Sequence, residues 1–125
     1  MYRILLVDDE KMELEALKNY IDWKTLGIDH VDTAKNGKAA YELVLDRQPD
    51  IVITDIQMPV MDGLEATRLI RGMDRPDAKL IPIIAMTANV YREDEEKSLQ
   101  AGMTAHLTKP FIPDELIHIL KNHIH

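Results

Sequence analysis

Short apolar runs alternate with amphipathic stretches along the whole chain. The most sharply bounded run is Ile51-Val52-Ile53-Thr54-Asp55, rich in β-branched residues and closed by an acid. Turn chemistry follows at once in Gln57-Met58-Pro59-Val60-Met61-Asp62-Gly63. A run of this length and kind reads as a strand buried on both faces. Asp55 then stands at the carboxyl end of a central strand, where open α/β sheets place their chemistry. A carboxylate there is costly to desolvate unless something satisfies it.

The remaining pattern is of the same kind. Arg3 to Val7 is an apolar strand running into Asp8-Asp9-Glu10, and residues 11–21 carry Leu14, Leu17 and Ile21 at helical spacing. His30 to Ala34 is a weaker strand. Asn36-Gly37 turns the chain into a helix with Ala40, Leu43 and Val44 on one face, and Pro49-Asp50 ends it. After Gly63, the residues Ala66, Leu69, Ile70 and Met73 match the i, i+3, i+4, i+7 template of an amphipathic helix. Ile81 to Met86 is a further buried strand, with Pro82 restricting its first residues to the sheet margin. The stretch 90–101 is helical but mostly charged, anchored by Val90, Tyr91 and Leu99 and stopped by Gly102. Ala105 to Thr108 is a short strand, and Pro113 opens a last helix with Leu116, Ile117, Leu120 and Ile124 inward.

Strands and helices that alternate in this way predict a parallel sheet covered on both faces, with right-handed crossovers. The expected fold is a flavodoxin-like, doubly wound (βα)5 domain with strand order 2-1-3-4-5, filling residues 1–125. In that order the first and third strands are neighbours, which brings Asp8, Asp9 and Asp55 to one pocket.

Composition narrows the chemistry. No cysteine is present among 125 residues, which excludes disulfides and thiolate metal sites. With 22 acidic against 15 basic residues the net charge is -7, so the domain lacks the basic footprint of direct nucleic-acid contact. No apolar run approaches membrane-spanning length; a soluble, cytoplasmic domain is expected. Three carboxylates at one sheet edge repel one another unless some are protonated or a cation sits among them. An all-oxygen site of this kind suits Mg²⁺. The other strand ends contribute a hydroxyl, Thr87, and an ammonium, Lys109. Together these groups suit phosphoryl transfer onto a carboxylate: Asp55 as nucleophile, with the metal and Lys109 neutralising charge on the phosphoryl oxygens.

Four segments now carry a resemblance: Val7-Asp8-Asp9-Glu10, Asp55 through Gly63, Ala85-Met86-Thr87-Ala88 and Lys109-Pro110-Phe111. In this order and spacing they closely resemble the receiver domain of two-component response regulators, over about residues 3 to 122. The resemblance implies that Asp55 is the phosphoacceptor. Mg²⁺, with Mn²⁺ as a substitute, would be ligated by Asp9, Asp55 and the backbone carbonyl of Gln57, and by Asp8 through water. Lys109, Thr87 and Ala88 would contact the phosphoryl group, with Lys109-Pro110 a cis peptide. Thr87 and residue 106 would form the switch; family members often carry Tyr or Phe at the latter position, where this chain has His106. Gln57 and Asn89 would flank the route of a hydrolytic water. Neither is a carboxylate base, so slow self-dephosphorylation is expected, and a phosphoryl half-life of a few seconds would contradict that. The resemblance itself implies a phosphoacceptor with intrinsic autophosphotransfer rather than an enzyme.

The family's phosphodonor is a histidine kinase or a histidine phosphotransfer protein, and its domains commonly dimerise through the face formed here by residues 90–125. The first half, around Tyr20-Ile21-Asp22-Trp23, is similar to receivers attached to AraC-type DNA-binding domains, whereas the second half is similar to receivers of hybrid histidine kinases. The output partner is therefore left open.

Plainer roles compete at several positions. Asp8, Asp9 and Glu10 complement a helix N-terminus by about 0.3–1 kcal/mol each, Asp62-Gly63 suits a turn and a helix cap, and Thr87 alone reads as a cap. Lys109 alone reads as a solvated lysine. The methionines read as core filler, and His118, His123 and His125 as solvated residues. From other classes, an aspartyl-phosphate phosphatase of the haloacid-dehalogenase type would want a second acid at position 57. A flavodoxin-like binding module would want a Gly- or Ser/Thr-rich loop where Asp8-Asp9-Glu10 stands.

Overall fold

Six-residue β1 (Tyr2–Val7) lies inside the sheet, with a strand on either side, and Ile4 to Val7 are buried. The computed structural model describes residues 2–56, 61–74, 78, 80–87, 99–108 and 113–123, with Thr87, His106 and Thr108 described in their backbone. The other strands are β2 (Ile28–Ala34), β3 (Ile51–Asp55), β4 (Ile83–Thr87) and β5 (Ala105–Thr108). They pair in parallel in the order β2-β1-β3-β4-β5, the order expected from the sequence.

Period-two alternation divides the interior into two layers. Ile4, Leu6, Ile51, Ile53, Ile84 and Met86 face one side, where α1 (Lys11–Tyr20) contributes Leu14 and Leu17 and the C-terminal helix (Pro113–His123) contributes Leu116 and Leu120. Leu5, Val7, Val52, Ile83 and Ala85 face the other side, against Ala40 and Val44 of α2 (Gly37–Arg47) and Ile70 of α3 (Gly63–Arg71). Each large apolar side chain buried here contributes about 1.5–3 kcal/mol. Two helix starts follow cap chemistry, those of α2 and α3: Asn36 Oδ1 accepts from the Ala39 amide at 2.8 Å, and Asp62 Oδ1 accepts from the Glu65 amide at 2.8 Å.

Several local expectations change. Strand β2 begins at Ile28, two residues early, because Gly27 at φ +82 reverses the chain and its carbonyl accepts from the Tyr2 amide. A 3-10 turn, Lys24–Leu26, precedes it, and the periodicity did not predict this turn. Strand β4 begins only at Ile83; Pro82 has no amide to pair, although its carbonyl accepts from Val52. Leu69 lies on the exposed side of α3, and its expected core place goes to Thr67, whose hydroxyl donates to the Gly63 carbonyl at 2.7 Å. Leu99 is 62% exposed and is no anchor. Residues 99–101 are helical and Gly102 ends them at φ +103, while the rest of the 90–101 helix, with Val90 and Tyr91, lies outside the described residues. Ile124 and His125 lie outside them as well.

Arg71 at the end of α3 ties the far edge of the sheet together. Its Nε and Nη2 donate to the Gly102 carbonyl at 2.9 and 2.8 Å, and its Nη1 donates to the Ala78 carbonyl at 3.1 Å. Partial burial lowers the guanidinium's pKa from its ordinary value. Thr104, just beyond, donates its amide to Ile83 at 2.8 Å and so starts the β4–β5 pairing. Arg71→Leu leaves these carbonyls unmet and is expected to cost about 2 kcal/mol. Urea denaturation checks this; a loss under about 0.5 kcal/mol would mean that water replaces the guanidinium.

Candidate functional site

Register alone sets the site. Val7 pairs with Thr54, so Asp8, one residue past the end of β1, stands level with Asp55 at the end of β3. Asp55 in turn pairs with Met86, which places the Thr87 backbone one step beyond it. Thr87 pairs with Thr108, the residue before Lys109. These strand ends all lie on the carboxyl edge of the sheet, the edge that carries binding sites in open α/β folds.

The expected meeting of the acids is present. One carboxylate oxygen from each of Asp8, Asp9 and Asp55 lies within 4.8 Å of the others. Asp8 is fully buried and Asp55 is 8% exposed, whereas Asp9 is exposed. Solvent therefore reaches the cluster from the Asp9 side. At an effective dielectric near 20, charges at such a separation inside the fold repel by roughly 3–4 kcal/mol. A divalent cation among them reverses the sign of that term. The donor set consists of hard oxygens only, which fits Mg²⁺ and does not fit a thiolate-seeking metal.

Local structure fixes the acids. The Asp8 carboxylate accepts from the Glu10 amide at 3.0 Å, so its turn-forming role coexists with its place in the cluster. The Asp8 amide donates to Ala34 and the Ile56 amide to Met86, which holds both strand ends in register. Gly63 lets α3 start directly against the Asp55 carbonyl: a Cβ there would collide with that oxygen and lie 3.2 Å from the carbonyl carbon. The Gly63 amide donates to Ile56 at 2.9 Å, closing the turn that begins after Asp55. The structural reading of Asp62-Gly63 thus holds.

The structure brings together Asp8, Asp9 and Asp55 and aligns the backbone of Thr87 with them. Gln57, Ala88, Asn89, Lys109 and Pro110 lie outside the described residues, as do the side chains of Thr87 and His106. Among the described residues no helix is long and apolar enough to cross a membrane. Sequence reasoning treated Gly37 as part of a turn and missed its contact with the 61–62 backbone, where its amide donates to the Met61 carbonyl at 2.7 Å. A small residue after the capping Asn36 was the only signal.

A doubly wound parallel sheet with an acidic, oxygen-only cluster at its carboxyl edge defines a flavodoxin-like α/β domain whose acids are consistent with Mg²⁺ binding. The chain belongs to the response regulator receiver domain family, whose model matches residues 4–121. It is a receiver domain of two-component systems, a phosphoacceptor rather than a conventional enzyme, and neither the haloacid-dehalogenase-type phosphatase nor a flavodoxin-like binding module is favoured.

Among solved structures it is similar to the receiver domain of the sensor histidine kinase PA1611 from Pseudomonas aeruginosa PAO1. The two are 36% identical with a TM-score of 0.85, covering 98% of this chain and 97% of that one, and that crystal structure has a magnesium ion coordinated in its active-site cleft. Over 121 residues it is 35% identical to the uncharacterized transcriptional regulatory protein YesN of Bacillus subtilis (strain 168), covering 97% of this chain. The chain spans only 32% of YesN's length. It is 30% identical to the polar-differentiation response regulator DivK of Brucella anthropi, over 97% of this chain and 94% of that one.

Proposed function

We propose that residues 1–125 form one receiver domain that takes a phosphoryl group onto Asp55 from a phosphohistidine and relays its arrival to an output partner. The observation that carries this reading is the convergence of Asp8, Asp9 and Asp55 within 4.8 Å at the carboxyl edge of the sheet. In the transfer an Asp55 carboxylate oxygen forms a bond to phosphorus as the donor's P–N bond breaks. The imidazole leaves with the electron pair of that bond. Asp9, Asp55 and the Gln57 carbonyl would hold Mg²⁺ or Mn²⁺, with Asp8 acting through water. A bound divalent ion supplies positive charge where the phosphoryl oxygens crowd the carboxylates.

Lys109, Thr87 and the backbone of Ala88 are assigned to the remaining phosphoryl oxygens. Thr87 moves toward the new negative charge, and His106 follows into the space it leaves. The donor is a histidine kinase or a histidine phosphotransfer protein, and the reaction takes place in the cytoplasm. The relatives include a transcriptional regulator and a kinase receiver, so the output partner is not assigned.

The test is intact-mass measurement after incubation with acetyl phosphate. One phosphoryl group is expected with Mg²⁺ and none after chelation. No uptake with Mg²⁺ present, or equal uptake without it, would remove the proposal.

A further inference from the structure

We infer that Gly37, at the start of α2, is a positioning residue for Asp55 and acts through backbone contacts alone; this inference rests on the reading of Asp55 as phosphoacceptor. Gly37 is buried, and its amide donates to the Met61 carbonyl at 2.7 Å. A Cβ at this position would collide with the Met61 carbonyl oxygen and would lie 2.8 Å from Asp62 O and 2.9 Å from Met61 C. The positive-φ glycines among the described residues are Gly27 and Gly102, so conformational freedom does not explain a glycine at 37. The close approach does.

What Gly37 touches leads straight to the acceptor. Met61 and Asp62 run into Gly63, whose missing Cβ faces the Asp55 carbonyl and lies 3.2 Å from Ile56 Cα. The nearest atoms in this sequence, from 37 to 61–62 and from 63 to 55–56, all belong to backbone, which yields less readily than the end of a flexible side chain. Retreat toward α3 is opposed as well. Asp62 caps that helix through the Glu65 amide at 2.8 Å, and Thr67 holds the Gly63 carbonyl at 2.7 Å. A methyl group at 37 therefore pushes 61–63 against the residue whose carboxylate joins the acidic cluster. Outer groups that orient metal ligands typically alter metal affinity about 10- to 100-fold, and a 1 Å misplacement can slow a reaction about 100-fold.

The test compares the full chain with Gly37→Ala and Asn36→Ala. Calorimetric Mg²⁺ titration, acetyl-phosphate loading rate and amide hydrogen exchange are the readouts. Gly37→Ala is expected to weaken Mg²⁺ binding about tenfold and to slow loading about 100-fold. Asn36→Ala removes the cap of the same helix, 2.8 Å from Asn36 Oδ1 to the Ala39 amide, but spares the 37–61 contact. Its Mg²⁺ affinity should stay near that of the parent. Similar Mg²⁺ affinities in the two variants would overturn the inference.

Should Gly37→Ala not fold, exchange in the parent decides. Mg²⁺ should slow exchange of the Gly37 amide, which bonds to Met61, more than that of the Ala40 amide, which bonds within the helix turn to Asn36. Equal slowing at both amides overturns the inference alone. A parent that binds no Mg²⁺ overturns it together with the acceptor reading.

Discussion

Asp55→Asn should take up no phosphoryl group from acetyl phosphate under conditions that load the parent, and it should remain folded. The carboxamide has nearly the shape of the carboxylate it replaces, and the site is 8% exposed, so packing at the end of β3 is conserved. The nucleophilic oxygen is lost, and the cluster with Asp8 and Asp9 loses one of three negative charges. Because like charges in such a cluster repel, the metal-free variant should lie within about 1 kcal/mol of the parent or above it. Mg²⁺ should raise the melting temperature of the parent more than that of the variant, since ligand at about 100 Kd adds about 2.7 kcal/mol to the state that binds it. Intact mass and thermal melts read the two effects separately. Phosphoryl uptake by Asp55→Asn would move the acceptor to another residue.

Gly63→Ala carries the largest expected cost in stability. Its methyl group has nowhere to go: the Asp55 carbonyl oxygen occupies its place, and Asp55 C and Ile56 Cα stand at 3.2 Å. These atoms belong to the central strand and the turn after it, which are held by the bond from Ile56 N to Met86 O and by the Gly63 amide on Ile56 O. Overpacking against fixed backbone costs about 3 kcal/mol, which corresponds to a fall in Tm of roughly 10 °C for a domain of this size. Urea denaturation beside the parent measures it. A loss below about 0.5 kcal/mol would show that the turn gives way freely.

The pocket was legible because it follows from two simple rules. Apolar runs that end in acids mark buried strands, and a 2-1-3-4-5 order makes the strands that precede Asp8 and Asp55 neighbours. The cap Asp62 was legible for the same reason, since its chemistry is local, whereas Asn36 reads only as part of a turn and its cap emerges from the structure.

What escaped was long-range or a matter of degree. A 3.6-residue period marks a stripe on α3 but does not say which edge faces the sheet, so Leu69 was placed inward where Thr67 sits. The Lys24–Leu26 turn leaves no periodic trace in three residues. Arg71 and Gly37 engage backbone carbonyls distant in sequence, and a carbonyl acceptor has no side-chain identity to read.

Locating the phosphoryl group tests the central claim most directly. Borohydride reduces an acyl phosphate to an alcohol, so loading with acetyl phosphate and Mg²⁺, reduction and peptide mapping identify the modified carboxylate. The account predicts conversion at Asp55 alone, and none when the divalent ion is chelated. Conversion at Asp8 or Asp9, or a group that survives reduction elsewhere in the chain, would contradict it.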